Sequence, residues 1–204
     1  MNTALLFALF GYLSGSVLYA RVYAALFGVP DASASGEDGN PGAANAFKYG
    51  GFRYGLFVLL GDIFKALIPV ALYFHLIEYA PEDPLLGLVI AAPVIGHIFP
   101  LFFHFRGGKG IAASFGSLLG IFPVWQPVIL LAVLFITFAA IIRIRPNYYL
   151  TMVVYCLFFI GSFLIRMPMN IVSGMVLISC TVLLKLALSR EERTVLEVTP
   201  VWKR

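Results

Sequence analysis

Long apolar runs alternate with short polar breaks along this chain, and two of the breaks are rich in glycine. A helix that crosses a bilayer needs roughly 20 predominantly apolar residues, about 17 to 25 in practice. Runs of that kind cover residues 4–27, 52–77, 84–105, 125–142, 148–165 and 170–189, with a shorter run at 110–122. The pattern predicts an all-α fold: a polytopic integral membrane helical bundle of about seven transmembrane helices. Segment 110–122 is too short to cross unaided and reads as a sheltered or partly inserted helix. Residues 1–189 then form a single transmembrane domain, and 190–204 a short polar tail.

Composition agrees with the pattern. Of 204 residues 61% are hydrophobic and 12% charged, whereas soluble domains carry about a quarter charged residues. The net charge of +4 suggests no nucleic-acid partner, because the basic residues are scattered between apolar runs and form no stripe. With seven crossings, Lys48, Arg53, Arg106, Lys109, Arg143, Arg145, Lys185, Arg190, Arg193, Lys203 and Arg204 share one face, and Arg166 alone takes the other. By the positive-inside rule the N-terminus is expected outside, and both glycine-rich breaks and the C-terminus in the cytoplasm. The break at 78–83 is acidic, as an outer loop should be. Met-Asn-Thr runs into apolar sequence with no basic region before it, so the first run is expected to stay as an anchor. Cys156 and Cys180 lie in apolar runs with no CxxC or His partner, and neither a disulfide nor a metal site is expected.

Backbone outside regular structure is tolerated at membrane depth only where it is buried in protein or faces water, so the glycine-rich breaks need a reason. The first carries Gly39-Asn40-Pro41-Gly42-Ala43-Ala44-Asn45 and then Lys48. Gly39 and Gly42 can take positive φ, which turns successive N–H groups into a concave anion nest, with Asn40 and Asn45 as side-chain donors. An ordinary turn before a helix uses the same residues. The second reads Arg106-Gly107-Gly108-Lys109-Gly110 and feeds a helix, so free N–H groups and the positive end of the dipole join two cations. It is not a P-loop, because Gly110 follows Lys109 where Ser or Thr would stand. Arg106 and Lys109 also serve as positive-inside anchors, and both readings stand at this point.

Three further features carry possible chemistry. Asp62 and Lys65 are three residues apart on one helix face, and an intramembrane ionisable pair is either structural or functional. His97 lies near the inner end of its run as a donor, a base or a packing residue. Gly15-Ser16 brings a hydroxyl to a close-approach site in the first run, where small residues usually pack helices.

In this order the motifs resemble the bacterial acyl-phosphate:glycerol-3-phosphate acyltransferase family. The resemblance rests on Gly15-Ser16, the 39–45 loop, Gly61-Asp62-x-x-Lys65 and Gly96-His97-x-Phe99-Pro100-x-Phe102-x-x-Phe105-Arg106-Gly107-Gly108-Lys109-Gly110. It implies a seven-helix enzyme of the bacterial inner membrane whose active site faces the cytoplasm. Such an enzyme moves a fatty acyl chain from acyl phosphate to the sn-1 hydroxyl of glycerol 3-phosphate, forming lysophosphatidic acid for phospholipid synthesis. Membrane lipids would be its other partners, and the resemblance implies no cofactor and no metal. It makes Lys109, Ser16, Asn45 and His97 catalytic candidates. Gly39, Asn40, Gly42, Lys48, Arg106, Gly107, Gly108 and Gly110 become phosphate-binding candidates, and Asp62–Lys65 a supporting ion pair. The chain departs from the family pattern at Leu18, Ala34, Glu37, Asp38, Ala44 and Lys48, and lacks the expected C-terminal His and Asn. Carboxylates at 37 and 38 repel a phosphate unless they are paired or protonated. Alternatives are a paralogue with a changed acceptor or little catalysis, and an anion-binding or transport protein. Oligomeric state is not legible in the sequence.

Overall fold

A computed structural model describes residues 2–31, 39–189 and 195–202. Ala34, Glu37, Asp38, Arg190, Arg193, Lys203 and Arg204 lie outside the described residues. The helices are α1 (Thr3–Gly15), α2 (Tyr19–Phe27), α3 (Ala43–Leu76), α4 (Leu86–Ile98), α5 (Ile111–Leu119), α6 (Gln126–Ile136), α7 (Asn147–Leu164) and α8 (Met169–Leu188). A π-helical turn, Thr137–Ile141, continues α6.

Each of the seven apolar runs becomes helical, with interruptions that the hydrophobic pattern does not show. Among the described residues four helices are long and apolar enough to cross a membrane, or five if α1 and α2, bent by 45°, count as one broken span. The break falls at 16–18, where Leu18 is extended at φ −94 and ψ 101. Helix α3 starts well before the expected boundary of 52, because Ala43 to Gly50 is already helical. Gly51, at φ 81 and ψ −177, separates that short piece from the long one. A positive φ there is open to glycine at little cost. Among the described residues of the first break, 39–42 are irregular and a helix begins at Ala43, in place of a loop through to 51.

Helix α4 forms the centre, packed by α1, α3, α5 and α8. Its neighbours approach over residues without bulk. A Cβ on Gly96 would strike the Tyr12 carbonyl of α1, one on Gly15 the Pro93 carbonyl, and one on Gly87 the Ser173 side chain of α8. Lipid is as apolar as Leu, so such close contacts drive helix association in a bilayer. Leu86, Val89, Ile90, Val94 and Ile98 of α4 are fully buried, while Leu164, Leu184 and Leu188 on the outer helices are exposed.

The expected tail is not wholly separate. Strand β1 (Ile144–Arg145) pairs antiparallel with β2 (Glu197–Val198), Ile144 opposite Val198 and Arg145 opposite Glu197. Thr199 N–H donates to the Arg143 carbonyl and Val201 N–H to the Ile141 carbonyl at 2.9 Å. A two-residue strand adds a small β element to the all-α fold expected, and it is too short for any hydrophobic alternation to announce it.

Candidate active site

The two glycine-rich breaks meet. One cavity of about 270 Å³ is lined by Asn40, Gly42, Ala43 and Ala44 on one side and by Lys109, Gly110, Ile111 and Ala112 on another. Gly42 is the N-cap of α3 and Gly110 the N-cap of α5. The first N–H groups of a helix have no partner within it, and the aligned peptide dipoles leave positive charge at that end. Two helix N-termini therefore face one space, with the Lys109 side chain beside them. Asp62 and His97 form the polar part of the floor, and Leu59, Ile63, Ile111 and Phe115 supply an apolar wall.

The donors differ in part from the expected ones. Gly39 has positive φ (58), but Gly42 is extended at φ −106, so residues 39–42 present a helix start in place of a nest with glycine at both bends. In the second loop the N–H of Gly107 donates to the Ile98 carbonyl and that of Gly108 to the His97 carbonyl, both at 3.2 Å. These two glycines close the end of α4 and spend their donors there. Gly108 has a steric task as well, since a Cβ would meet His97 Nε2 and, at 3.1 Å, Asn40 Oδ1. Gly110, at φ 82, turns the chain into α5. Its carbonyl accepts from Ser114 Oγ at 2.8 Å, and Ser114 Oγ accepts from Tyr155 of α7 at 2.9 Å.

Behind the cavity lies a buried charge cluster. Asp62, Lys65 and His97 are 1%, 4% and 3% exposed. Lys65 Nζ is 2.8 Å from Asp62 Oδ1, 2.8 Å from His97 Nδ1 and 2.5 Å from the Val17 carbonyl. The last contact explains how the α1–α2 break survives at membrane depth: a carbonyl left without a helical partner is satisfied by an ammonium. Ser16 completes the same repair. It is fully buried, donates to the Tyr12 carbonyl at 2.8 Å and accepts from the Leu101 N–H at 3.1 Å.

The expected site residues therefore divide. Asn40, Gly42, Asp62, His97, Lys109 and Gly110 line the cavity. Lys65 lies directly behind it, and Ser16 holds the helix break. Asn45 donates to the Asn40 carbonyl at 2.9 Å and so fixes the turn that enters α3. Lys48 is exposed with its ammonium 4.8 Å from the Tyr49 ring centre, and Arg106 is exposed beyond the lining. Ala112 and the apolar wall were not anticipated. Ile111, Ala112 and Phe115 lie in the first turns of the helix that the glycine motif opens, and that position is the one sequence signal that could have found them. Among the described residues no group of three or more His, Cys, Asp or Glu side chains is placed to hold a metal ion.

Fold and cavity together define a helical membrane protein in which two helix N-termini open on a cavity beside an apolar wall. The family model described as glycerol-3-phosphate acyltransferase matches residues 5–193, and the chain belongs to that family. A glycerol-3-phosphate acyltransferase of Actinobacillus pleuropneumoniae serotype 5b is 47% identical over 119 residues, 58% of this chain and 59% of that protein. One from Pseudomonas paraeruginosa is 43% identical over 127 residues, 62% of this chain and 64% of that one. The matched stretch thus spans less than two thirds of either relative. The crystal structure of PlsY, an integral membrane glycerol 3-phosphate acyltransferase, in its glycerol 3-phosphate form covers 90% of this chain and 88% of its own at 26% identity, with a TM-score of 0.76. Its lysophosphatidic acid form gives a TM-score of 0.72.

Proposed function

We propose that this chain is a multi-pass acyltransferase of the bacterial inner membrane that moves a fatty acyl group from acyl phosphate to the sn-1 hydroxyl of glycerol 3-phosphate. The observation that carries the reading is the convergence of two helix N-termini and Lys109 on one cavity with an apolar wall. In the reaction the hydroxyl oxygen bonds to the acyl carbon, the carbon–oxygen bond to phosphate breaks with its electron pair going to the phosphate, and the hydroxyl proton passes to that departing phosphate. Products are lysophosphatidic acid and inorganic phosphate. The donor is already an activated anhydride, so the protein's task is to align the hydroxyl and to stabilise charge on the carbonyl oxygen and the departing phosphate. Peptide N–H groups at the starts of α3 and α5 and the Lys109 ammonium suit phosphate oxygens. Leu59, Ile63, Ile111 and Phe115 suit the first carbons of the acyl chain. At about 270 Å³ the cavity falls just under the roughly 300–1,000 Å³ of drug-sized pockets, which fits a head group with the chain continuing into lipid. The cluster of Lys and Arg near the glycine-rich turns supports a cytoplasmic site and seven crossings with the N-terminus outside.

Purified protein in detergent, given palmitoyl phosphate and labelled glycerol 3-phosphate, should form lysophosphatidic acid. Lys109→Ala should lower kcat/KM by roughly 100- to 1,000-fold, the usual effect of removing a donor from a developing negative charge. No product from wild-type protein, or an unaffected rate in the variant, would overturn the reading. Flux of a phosphate ester into proteoliposomes without any acyl transfer would point to transport.

A further inference from the structure

We propose that His97 is a hydrogen-bond donor into the cavity, locked in its Nε2-protonated form by Lys65, and not the base that removes a proton from an attacking hydroxyl. The role in catalysis rests on the acyl transfer proposed above; the assignment of the proton does not.

The argument begins with Lys65. An ammonium has three protons and no lone pair, so it can only donate. Three acceptors stand around Nζ: the Val17 carbonyl at 2.5 Å, Asp62 Oδ1 at 2.8 Å and His97 Nδ1 at 2.8 Å. Each proton has one acceptor, and full satisfaction is what a buried charge requires. His97 Nδ1 must then offer its lone pair, because a proton on that atom would point at an ammonium. The other arrangement, an Nδ1–H aimed at Asp62, has 3.5 Å to span. That is longer than the 2.7–3.2 Å of an ordinary N–H to oxygen bond.

A neutral imidazole that accepts at Nδ1 carries its proton on Nε2. Nε2 lies on the opposite edge of the ring, beside Gly108, and the residue lines the cavity. That edge has no lone pair with which to take a hydroxyl proton. The lone pair on Nδ1 is turned toward Lys65 and held there. What His97 offers the cavity is therefore an N–H, in keeping with the peptide donors of α3 and α5 and with Lys109. Lys65 acts as a positioning residue: it fixes the tautomer from behind and touches no substrate.

The decisive measurement is nitrogen-15 NMR of the folded, histidine-labelled protein in detergent or nanodiscs. The chain has three histidines, so His75→Gln and His104→Gln variants assign the His97 signals. The expected spectrum has a protonated, pyrrole-type Nε2 and a pyridine-type Nδ1 at neutral pH. An Nδ1-protonated ring or an imidazolium would overturn the proposal, whether or not the protein transfers acyl groups. Inorganic phosphate binding provides a second readout. His97→Ala should weaken it by about tenfold, as expected for one bond to a charged group, while His97→Gln, whose amide still donates, should stay within about threefold. Wild-type phosphate affinity in His97→Ala together with a collapse of kcat alone would be the signature of a base and would refute the assignment. Failure of wild-type protein to make lysophosphatidic acid would sink the acyl-transfer reading and leave the tautomer standing.

Discussion

Replacing Lys65 by Met is the most severe single test of the buried cluster. The change removes the ammonium from three acceptors at once. Asp62 is left as a carboxylate with His97 Nδ1 3.5 Å away, and the Val17 carbonyl loses the Lys65 ammonium as a donor. Removing one member of a buried ion pair costs about 3–5 kcal/mol, because the remaining charge is uncompensated. A charged side chain in a membrane helix costs about 2.5–3.5 kcal/mol on insertion scales, which gives a similar figure by another route. For a chain of this length the loss corresponds to a fall in melting temperature of roughly 10 °C. The double variant Asp62→Leu/Lys65→Met removes both charges and should regain at least about 2 kcal/mol over the single change, since an apolar replacement of a whole pair is often neutral. Reversible unfolding of the purified protein in bicelles titrated with SDS, analysed as a double-mutant cycle, measures both quantities. A Lys65→Met protein within about 1 kcal/mol of wild type, or a double variant no better than the single, would mean that Asp62 is not held by Lys65 and would refute the reasoning.

Other changes test other parts. Gly108→Ala should reduce kcat/KM by more than tenfold with a stability cost of about 1–3 kcal/mol, the range for overpacking, because the new methyl meets the His97 ring; full activity would show that the ring does not lie against Gly108. Ser16→Ala should cost about 1–3 kcal/mol in the same unfolding assay by stranding the Leu101 N–H, with kcat/KM changed less than tenfold in the folded fraction; wild-type stability with lost kcat would instead place Ser16 on substrate. Tyr155→Phe should destabilise by about 0.5–1.5 kcal/mol by releasing Ser114 from one partner, and an unchanged unfolding midpoint would count against that link.

The apolar runs were legible because a bilayer asks for length and apolarity, and both are local properties of the chain. Their interruptions were less so. Gly51 breaks α3 beside the expected boundary at 52, yet the eight residues before it carry Asn45, Lys48 and Gly50 and so read as loop. The break after Gly15 falls inside a continuous apolar run, and the groups that make it tolerable, Lys65 and the Leu101 N–H, lie far away in sequence. Composition could not show it. At the site, Lys109, Gly110, Asn40 and Gly42 were legible from glycine, asparagine and charge at the head of a helix. Gly107 and Gly108 looked like donors for the same reason, but the end of α4 returns to meet them, and a carbonyl supplied by tertiary structure takes each N–H first. Arg106 is one residue before that closure and lies exposed outside the cavity lining, a matter of register that spacing along the chain does not encode.

The shortness of α5 follows from the same geometry. Nine residues rise about 14 Å at 1.5 Å each, less than half of a hydrocarbon core of about 30 Å. Here Gly107, Gly108, Lys109 and Gly110 are buried, and Ser117 of α5 is tied to the Ile90 carbonyl of α4. Ser114, tied in turn to Tyr155, bonds the N-cap carbonyl. Peptide dipoles held in such surroundings act on a charge far more strongly than in water, because the local dielectric is low and the donors are already oriented. The segment that looks deficient as a membrane anchor is thus the one that can bring a helix N-terminus inside the protein, opposite the N-terminus of α3.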